Sequence, residues 1–141
     1  MSYKILWIED EVEDLMGMVT PLKKSGHNIV IAKNYNSALQ IIDQLGPFDL
    51  IILDVIIPSG IKEYSSIEEI IQINRTYYGL KLLKNLEHSN SDMKIIVLSV
   101  VTEPEIVSQF IKSPLKVRYL KKGHISPLDL KKNVDEMMDS E

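Results

Sequence analysis

Four apolar runs in this chain each end in residues that can do chemistry. Lys4-Ile5-Leu6-Trp7-Ile8 runs into Glu9-Asp10, Phe48 to Leu53 into Asp54, Lys94 to Leu98 into Ser99, and Val117 to Leu120 into Lys121-Lys122. Carboxylates gathered within a few ångströms repel one another and favour a hard divalent cation with oxygen ligands; Mg²⁺ suits a site that also handles phosphate, with Mn²⁺ as a substitute. A carboxylate is also a nucleophile toward phosphorus, forming an aspartyl phosphate. In such a reaction a metal bridges carboxylate and phosphoryl oxygens, a lysine neutralises charge and a hydroxyl donates to another phosphoryl oxygen. Asp54, Ser99 and Lys121 or Lys122 are residues of those types. The six glycines form no Gly-rich nucleotide fingerprint.

Each of these residues has an ordinary structural use as well. A strand-end Asp caps turns, a Ser before a loop bonds backbone, a Lys pair is solvated, and Tyr119 is an acceptable strand aromatic. The combination, with each residue at the same end of its own strand, favours the chemical reading.

The runs that deliver them alternate with helical patterns. The four consecutive apolar residues from Leu50 to Leu53 suit a strand buried on both faces, as in parallel sheets, whose chemistry lies beyond the C-terminal strand ends. Val12, Leu15, Met16, Val19 and Leu22 recur on one helix face, predicting a helix from Glu11 to about Ser25 that Pro21 bends or ends early. Asn28 to Ala32 reads as a second strand, and Ala38, Ile41, Ile42 and Leu45 mark a second helix closed by Gly46-Pro47. A helix follows from Gly79 to Leu86, closed by Asn90-Ser91-Asp92. Thr102 with Glu105 has the form of a capping box for a helix from Glu103 to about Ile111, and Ser126-Pro127 starts a last helix carrying Leu130, Val134, Met137 and Met138. Strand, helix, strand in alternation predicts an α/β doubly wound fold. About 59–77 breaks the rhythm and is expected to be an inserted loop with a short amphipathic helix, capped by Ser65 or Ser66, beside the Asp54 end of the sheet. The whole of 1–141 is expected to be one domain with that insert.

Composition excludes several classes. At 45% hydrophobic and 26% charged the chain is neither disordered nor membrane-embedded, and no apolar run approaches a membrane span. Net charge is 16 minus 20, or −4, which gives no general attraction to nucleic acid or anionic membranes. With no cysteine there is no thiol chemistry and no disulfide. A cytoplasmic location is expected.

Ile5-Leu6-Trp7-Ile8-Glu9-Asp10-Glu11, Leu53-Asp54-Val55-Ile56-Ile57-Pro58, Val97-Leu98-Ser99 and Tyr119-Leu120-Lys121-Lys122-Gly123 resemble the four signature stretches of the receiver domain of two-component response regulators. The resemblance covers nearly all of the chain except the insert. It implies a five-stranded parallel sheet in flavodoxin-like order 2-1-3-4-5 with helices on both faces. It also implies Asp54 as phosphoacceptor, Glu9 and Asp10 as the acidic pair, the Ile56 carbonyl as a further Mg²⁺ ligand, Ser99 as the hydroxyl that senses the phosphoryl group, and Tyr119 as the switch aromatic. Tyr119 falls three residues before the family's site lysine, which selects Lys122, and Gly79 matches the glycine opening the third helix.

Departures from the family pattern carry expectations of their own. Asp54 and Gly79 lie 79 minus 54, or 25, positions apart, wider than the family pattern, which locates the insertion. Gly123 stands where a proline is typical. Val100 stands where a small residue is common and crowds the approach to Asp54. Ile56 and Val101 occupy positions that elsewhere orient hydrolytic water; both are apolar, so slow loss of the phosphoryl group is expected.

The function expected is a phosphoacceptor switch charged by a histidine kinase or phosphotransfer protein. It would signal through the last helix-strand-helix face to a downstream protein or a second copy, to which exposed parts of Phe110, Ile111 and Leu115 could contribute although core packing is the commoner fate of any one of them, and would touch neither nucleic acid nor membrane. It would be a self-phosphorylating acceptor rather than a turnover enzyme. Two other readings are compatible with the residues: a phosphorylation-independent scaffold, and a small phosphohydrolase with Asp54 as nucleophile and Glu9 as acid/base.

Overall fold

Alternating apolar side chains along three central strands build two cores at once, one on each side of a sheet. The structure, a computed structural model, describes residues 2–60, 77–89 and 92–139. Its order is β1 (Lys4–Ile8), α1 (Val12–Lys24), β2 (Asn28–Ala32), α2 (Tyr35–Leu45), β3 (Leu50–Leu53), α3 (Tyr78–Ser89), β4 (Lys94–Ser99), α4 (Pro104–Ile111), β5 (Lys116–Lys121) and α5 (Pro127–Asp139). The five strands form one parallel sheet in the order β2-β1-β3-β4-β5. This is the doubly wound, flavodoxin-like arrangement expected.

Successive residues of a strand face opposite sides. Leu6 and Ile8, Ile51 and Leu53, and Ile95 and Val97 therefore pack on one face with Tyr35 and Ala38 of α2, Leu82, Leu83 and Leu86 of α3, and Phe110 of α4. Ile5 and Trp7, Leu50 and Ile52, and Ile96 and Leu98 pack on the other with Val19 and Leu22 of α1 and Leu130, Val134 and Met137 of α5. Burial on both faces is why β3 reads as an unbroken apolar run.

Helix ends follow local chemistry. Asn34 caps α2, its Oδ1 accepting from the Ser37 N–H at 2.7 Å, so the helix starts three residues before the first periodic apolar position at Ala38. At α5, Ser126 Oγ accepts from the Asp129 N–H at 3.1 Å and Asp129 Oδ2 from the Ser126 N–H at 2.9 Å, a reciprocal capping box with Pro127 at the first helical position. The box expected from Thr102 and Glu105 does not form: Glu103 occupies the cap of α4 with no side-chain capping bond, and Pro104 starts the helix. Pro21 does not end α1, which continues to Lys24.

One expected core assignment changes. Met16, read as part of the inward face of α1, is exposed, while Val19 and Leu22 are buried as expected; the side chains of Val12 and Leu15 lie outside the description. Of the three residues weighed between core and contact surface, Phe110 of α4 and Leu115 of the loop after it belong to the core, and Ile111, 65% exposed, is on the surface. The expected insert helix with its Ser65 or Ser66 cap, and most of the close of α3 at Asn90-Ser91, lie outside the described residues.

Gly79, in the first turn of α3, is where the helix meets the strand end that carries Asp54. A Cβ there would stand 2.2 Å from the Asp54 carbonyl oxygen and 2.6 Å from Val55 Cα, both backbone, and the Gly79 N–H donates to the Val55 carbonyl at 3.0 Å. Gly79→Ala is expected to lower unfolding free energy by about 1–3 kcal/mol, since backbone cannot give way as a side chain can. Urea denaturation checks this; an unchanged midpoint would contradict the close packing.

Candidate functional site

Parallel strands in register bring their C-terminal ends together, and the ladder continues one step past β1, β3 and β5. The Glu9 N–H donates to the Ala32 carbonyl at 3.0 Å, the Asp54 N–H to Ile8 at 3.2 Å and the Lys122 N–H to Ser99 at 2.9 Å. Three residues from distant parts of the chain are thereby fixed at one edge of the sheet.

Their side chains meet. Lys122 Nζ lies 2.6 Å from Asp54 Oδ2 and 2.9 Å from Glu9 Oε2. Each carboxylate gives its other oxygen to a backbone donor: Asp54 Oδ1 accepts from the Ile56 N–H at 3.1 Å, and Glu9 Oε1 from the Glu11 N–H at 3.1 Å. Asp54 is 5% exposed and Glu9 1%. Two carboxylates thus share one ammonium in a largely dry place. Lys121 is exposed, and Lys122 is the lysine that reaches the acids.

Burial is the main force on the protonation equilibria. It pushes the Glu9 carboxyl from 4.5 up to about 7; the bond to Lys122 works against this, while the neighbouring Asp54 adds to it. Burial also disfavours the Lys122 ammonium, yet its bonds to Asp54 and Glu9 outweigh that and hold its pKa above the usual lysine value. The Tyr119 hydroxyl is raised chiefly by burial, with the Asp54 charge contributing.

Ser99 and Tyr119 act on one loop residue from two sides. Ser99 is buried at the end of β4, and its Oγ accepts from the Val101 N–H at 3.2 Å. Tyr119 donates its hydroxyl proton to the Val101 carbonyl at 2.7 Å, with its ring edge against Phe110 at 5.8 Å between centroids. Both backbone groups of Val101 are therefore held, and its side chain is buried in the core below them. Val100 and Ile56 are exposed.

The acidic triad does not assemble as a metal-holding set. Asp10 is exposed, and among the described residues no three His, Cys, Asp or Glu side chains stand close enough to hold a metal ion. Both residues lie beyond the end of β1, where the chain bends at Asp10, and Glu9 is buried while Asp10 is exposed. The Lys122 ammonium meanwhile serves as counter-ion to the two inner carboxylates. The Glu11 and Ile56 amides were invisible to residue-type reasoning, because a backbone donor leaves no signature in the sequence. Trp7, on the strand leading to Glu9, is buried on the α1–α5 face.

The family model of the response regulator receiver domain matches residues 5–135. The chain belongs to that family. Among solved structures, the receiver domain is similar to a response regulator receiver domain protein (CheY-like) from Methanospirillum hungatei JF-1, at 19% identity and TM-score 0.76 over 99% of this chain and 95% of the other. It is similar to a response regulator from Thermotoga maritima, at 18% identity and TM-score 0.72 over 99% and 100% of the two chains. A third is the BeF3-activated N-terminal receiver domain of RstA from Klebsiella pneumoniae, at 19% identity and TM-score 0.71 over 97% and 99%. At these identities the structures speak for the fold alone. No curated protein matches the chain. Membership in the family supports a phosphoacceptor signalling role in general, together with a kinase or phosphotransfer partner. Among the described residues no helix is long and apolar enough to cross a membrane.

The raised Glu9 pKa predicts a stability profile of definite sign. The folded state holds the Glu9 proton more tightly than the unfolded chain, so this residue lowers stability as pH rises from about 4.5 to about 7. Glu9→Gln is expected to flatten that part of the profile and to be relatively more stable at pH 8 than at pH 4. Thermal midpoints of both proteins across that range test it; parallel curves would refute it.

Proposed function

We propose that this receiver domain takes a phosphoryl group on Asp54 from a phosphohistidine of a kinase or phosphotransfer protein. The observation that carries this is the Lys122 ammonium 2.6 Å from Asp54 Oδ2, with Glu9 alongside. In the step, an Asp54 oxygen forms a bond to phosphorus while the phosphorus–nitrogen bond of the donor breaks. The electron pair returns to the donor imidazole, which takes up a proton. Lys122 then exchanges its contact with the carboxylate for one with the phosphoryl oxygens. The Ser99 hydroxyl donates to another of these oxygens, and the Val100–Thr102 loop moves with it. Tyr119, tied to the same loop through Val101, transmits the change to the α4–β5–α5 face, where Ile111 is exposed.

The acidic residues suit a divalent cation in charge and donor type: Glu9, Asp10, Asp54 and the Ile56 carbonyl offer hard oxygens only, and two of the carboxylates already share a cationic group in Lys122. Asp10, Asp54 and Ile56 would hold Mg²⁺, with Glu9 beside them and Asp10 turned inward from its exposed position. When bound, the ion supplies neutralising charge for the transferred group.

Burial of Asp54 favours a second reading, in which phosphate does not reach it and the domain is a phosphorylation-independent scaffold. One experiment separates these. Incubation with acetyl phosphate and Mg²⁺ is expected to add one phosphoryl group by intact mass, lost in Asp54→Asn. No uptake, confirmed with beryllium fluoride, would establish the scaffold, and continuous phosphate-ester turnover a hydrolase.

Once formed, the acyl phosphate is expected to persist far beyond seconds with Mg²⁺ present. Ile56 is exposed and apolar and Val101 is buried, so neither offers a polar atom to orient attacking water. Radiolabel decay with a half-life of seconds would overturn this, whereas Ile56→Asn is expected to speed the loss.

A further inference from the structure

At the opposite edge of the sheet, the first strand is fastened by an imidazole. His27, in the α1–β2 turn, is 8% exposed, and its Nδ1 accepts from the Tyr3 N–H at 3.1 Å. Accepting at Nδ1 requires the neutral ring with its proton on Nε2. That Nε2 is buried and finds no hydrogen-bond partner among the described residues. The Tyr3 ring stacks on the imidazole at 5.3 Å, and the surrounding bonds stitch the same two segments together: the Asn28 N–H to the Tyr3 carbonyl at 2.9 Å, and Ser2 Oγ to the Gly26 carbonyl at 2.7 Å.

A proton added to this ring goes to Nδ1, where it faces the Tyr3 N–H. Two donors then point at each other, and a charged ring has a second buried donor without an acceptor. The charged groups around it do not compensate. From α5, Asp135 favours the charged ring, but it is paired with Lys131 at 2.7 Å, and both Lys131 and the chain's amino group disfavour it. The only relief is to open the bond. The space for that exists: a cavity of about 440 Å³ between the turn and α5 is lined by Tyr3, Ser25, His27, Lys131, Asp135, Met138 and Asp139, and so admits water as the ring turns out.

We propose that His27 is an acid-released latch that holds the entry of β1 against the α1–β2 turn and α5. It is independent of phosphoryl transfer at Asp54, though the strand it fastens is the one that ends in Glu9. Burial lowers the His27 pKa from its ordinary 6.5, consistent with a ring kept neutral by the fold. The sign is fixed by this. The latch contributes fully above the unfolded value and is lost as pH falls through it toward the lower folded value.

Two-dimensional NMR of the labelled full chain tests the proposal, with the His27 ring resonances assigned by their absence in His27→Asn. The expected result is a ring titrating below the ordinary histidine value, with the Tyr3 amide shifting and losing exchange protection in step. The thermal midpoint of wild type is expected to fall more steeply than that of His27→Asn as pH drops from about 7 to about 5. A ring that titrates at or above the ordinary value, or a Tyr3 amide indifferent to its titration, overturns the latch. If His27→Asn does not fold, the wild-type titration with its Tyr3 readout decides alone, using the shifts sequentially assigned through Gly26 and Asn28.

Discussion

One ammonium shared by two buried carboxylates is the interaction around which the rest of this receiver domain is arranged. Taking Glu9, Asp54 and Lys122 out of water is costly, and their mutual attraction offsets it only if the geometry is tight and the remaining oxygens are bonded. The structure meets both conditions, with Lys122 at 2.6 and 2.9 Å and the Ile56 and Glu11 amides on the outer oxygens. The cluster still carries one negative charge in excess when both acids are ionised. Burial and the nearby Asp54 resolve this by raising Glu9 toward neutrality at about 7.

Holding such a cluster demands a rigid frame. Glu9, Asp54 and Lys122 each follow a strand by one residue and are aligned by backbone bonds that extend the ladder. Each of β1, β3 and β4 packs both faces against helices, so a slip by one residue would send every side chain to the opposite core, whose packing partners differ. Gly79 adds a constraint of a different kind. It lets α3 rest directly on the Asp54 carbonyl, so that the helix buttresses the very residue whose side chain carries the site.

The sheet was legible in the sequence because its signal is redundant: five apolar runs, four with polar residues at the same end, and helices between them. β1 and β2 agree residue for residue, and Lys122 was selected over Lys121 only by likeness to the family, a choice the ion pairs match. What could not be read were features that residue type does not encode. Asn34 starts α2 ahead of its apolar pattern because capping needs one side-chain oxygen and no periodicity. Thr102 and Glu105 have the spacing of a capping box, yet Pro104 starts α4 one residue later and leaves Glu103 at the cap. Phe110 and Ile111 are adjacent apolar residues, and only the rotation of α4 decides that the first is core and the second surface. Asp10 directly follows Glu9, yet it is exposed where Glu9 is buried, because the chain bends as it leaves β1.

Glu9 and the His27 fastening lie at opposite ends of one five-residue strand, and their electrostatics run in opposite directions. Burial favours loss of the His27 proton, lowering its pKa from the ordinary value, and favours retention of the Glu9 proton, raising that one. The common cause is the dry, two-sided core through which β1 passes, and neither residue can be charged without a partner to hold the charge. At the Glu9 end that partner is Lys122, bonded to both buried carboxylates. At the His27 end Asp135 is paired with Lys131, and the ring instead accepts from the Tyr3 N–H, a bond that only the neutral imidazole makes. The same strand therefore runs from a contact that depends on an uncharged ring to one that depends on a matched charge.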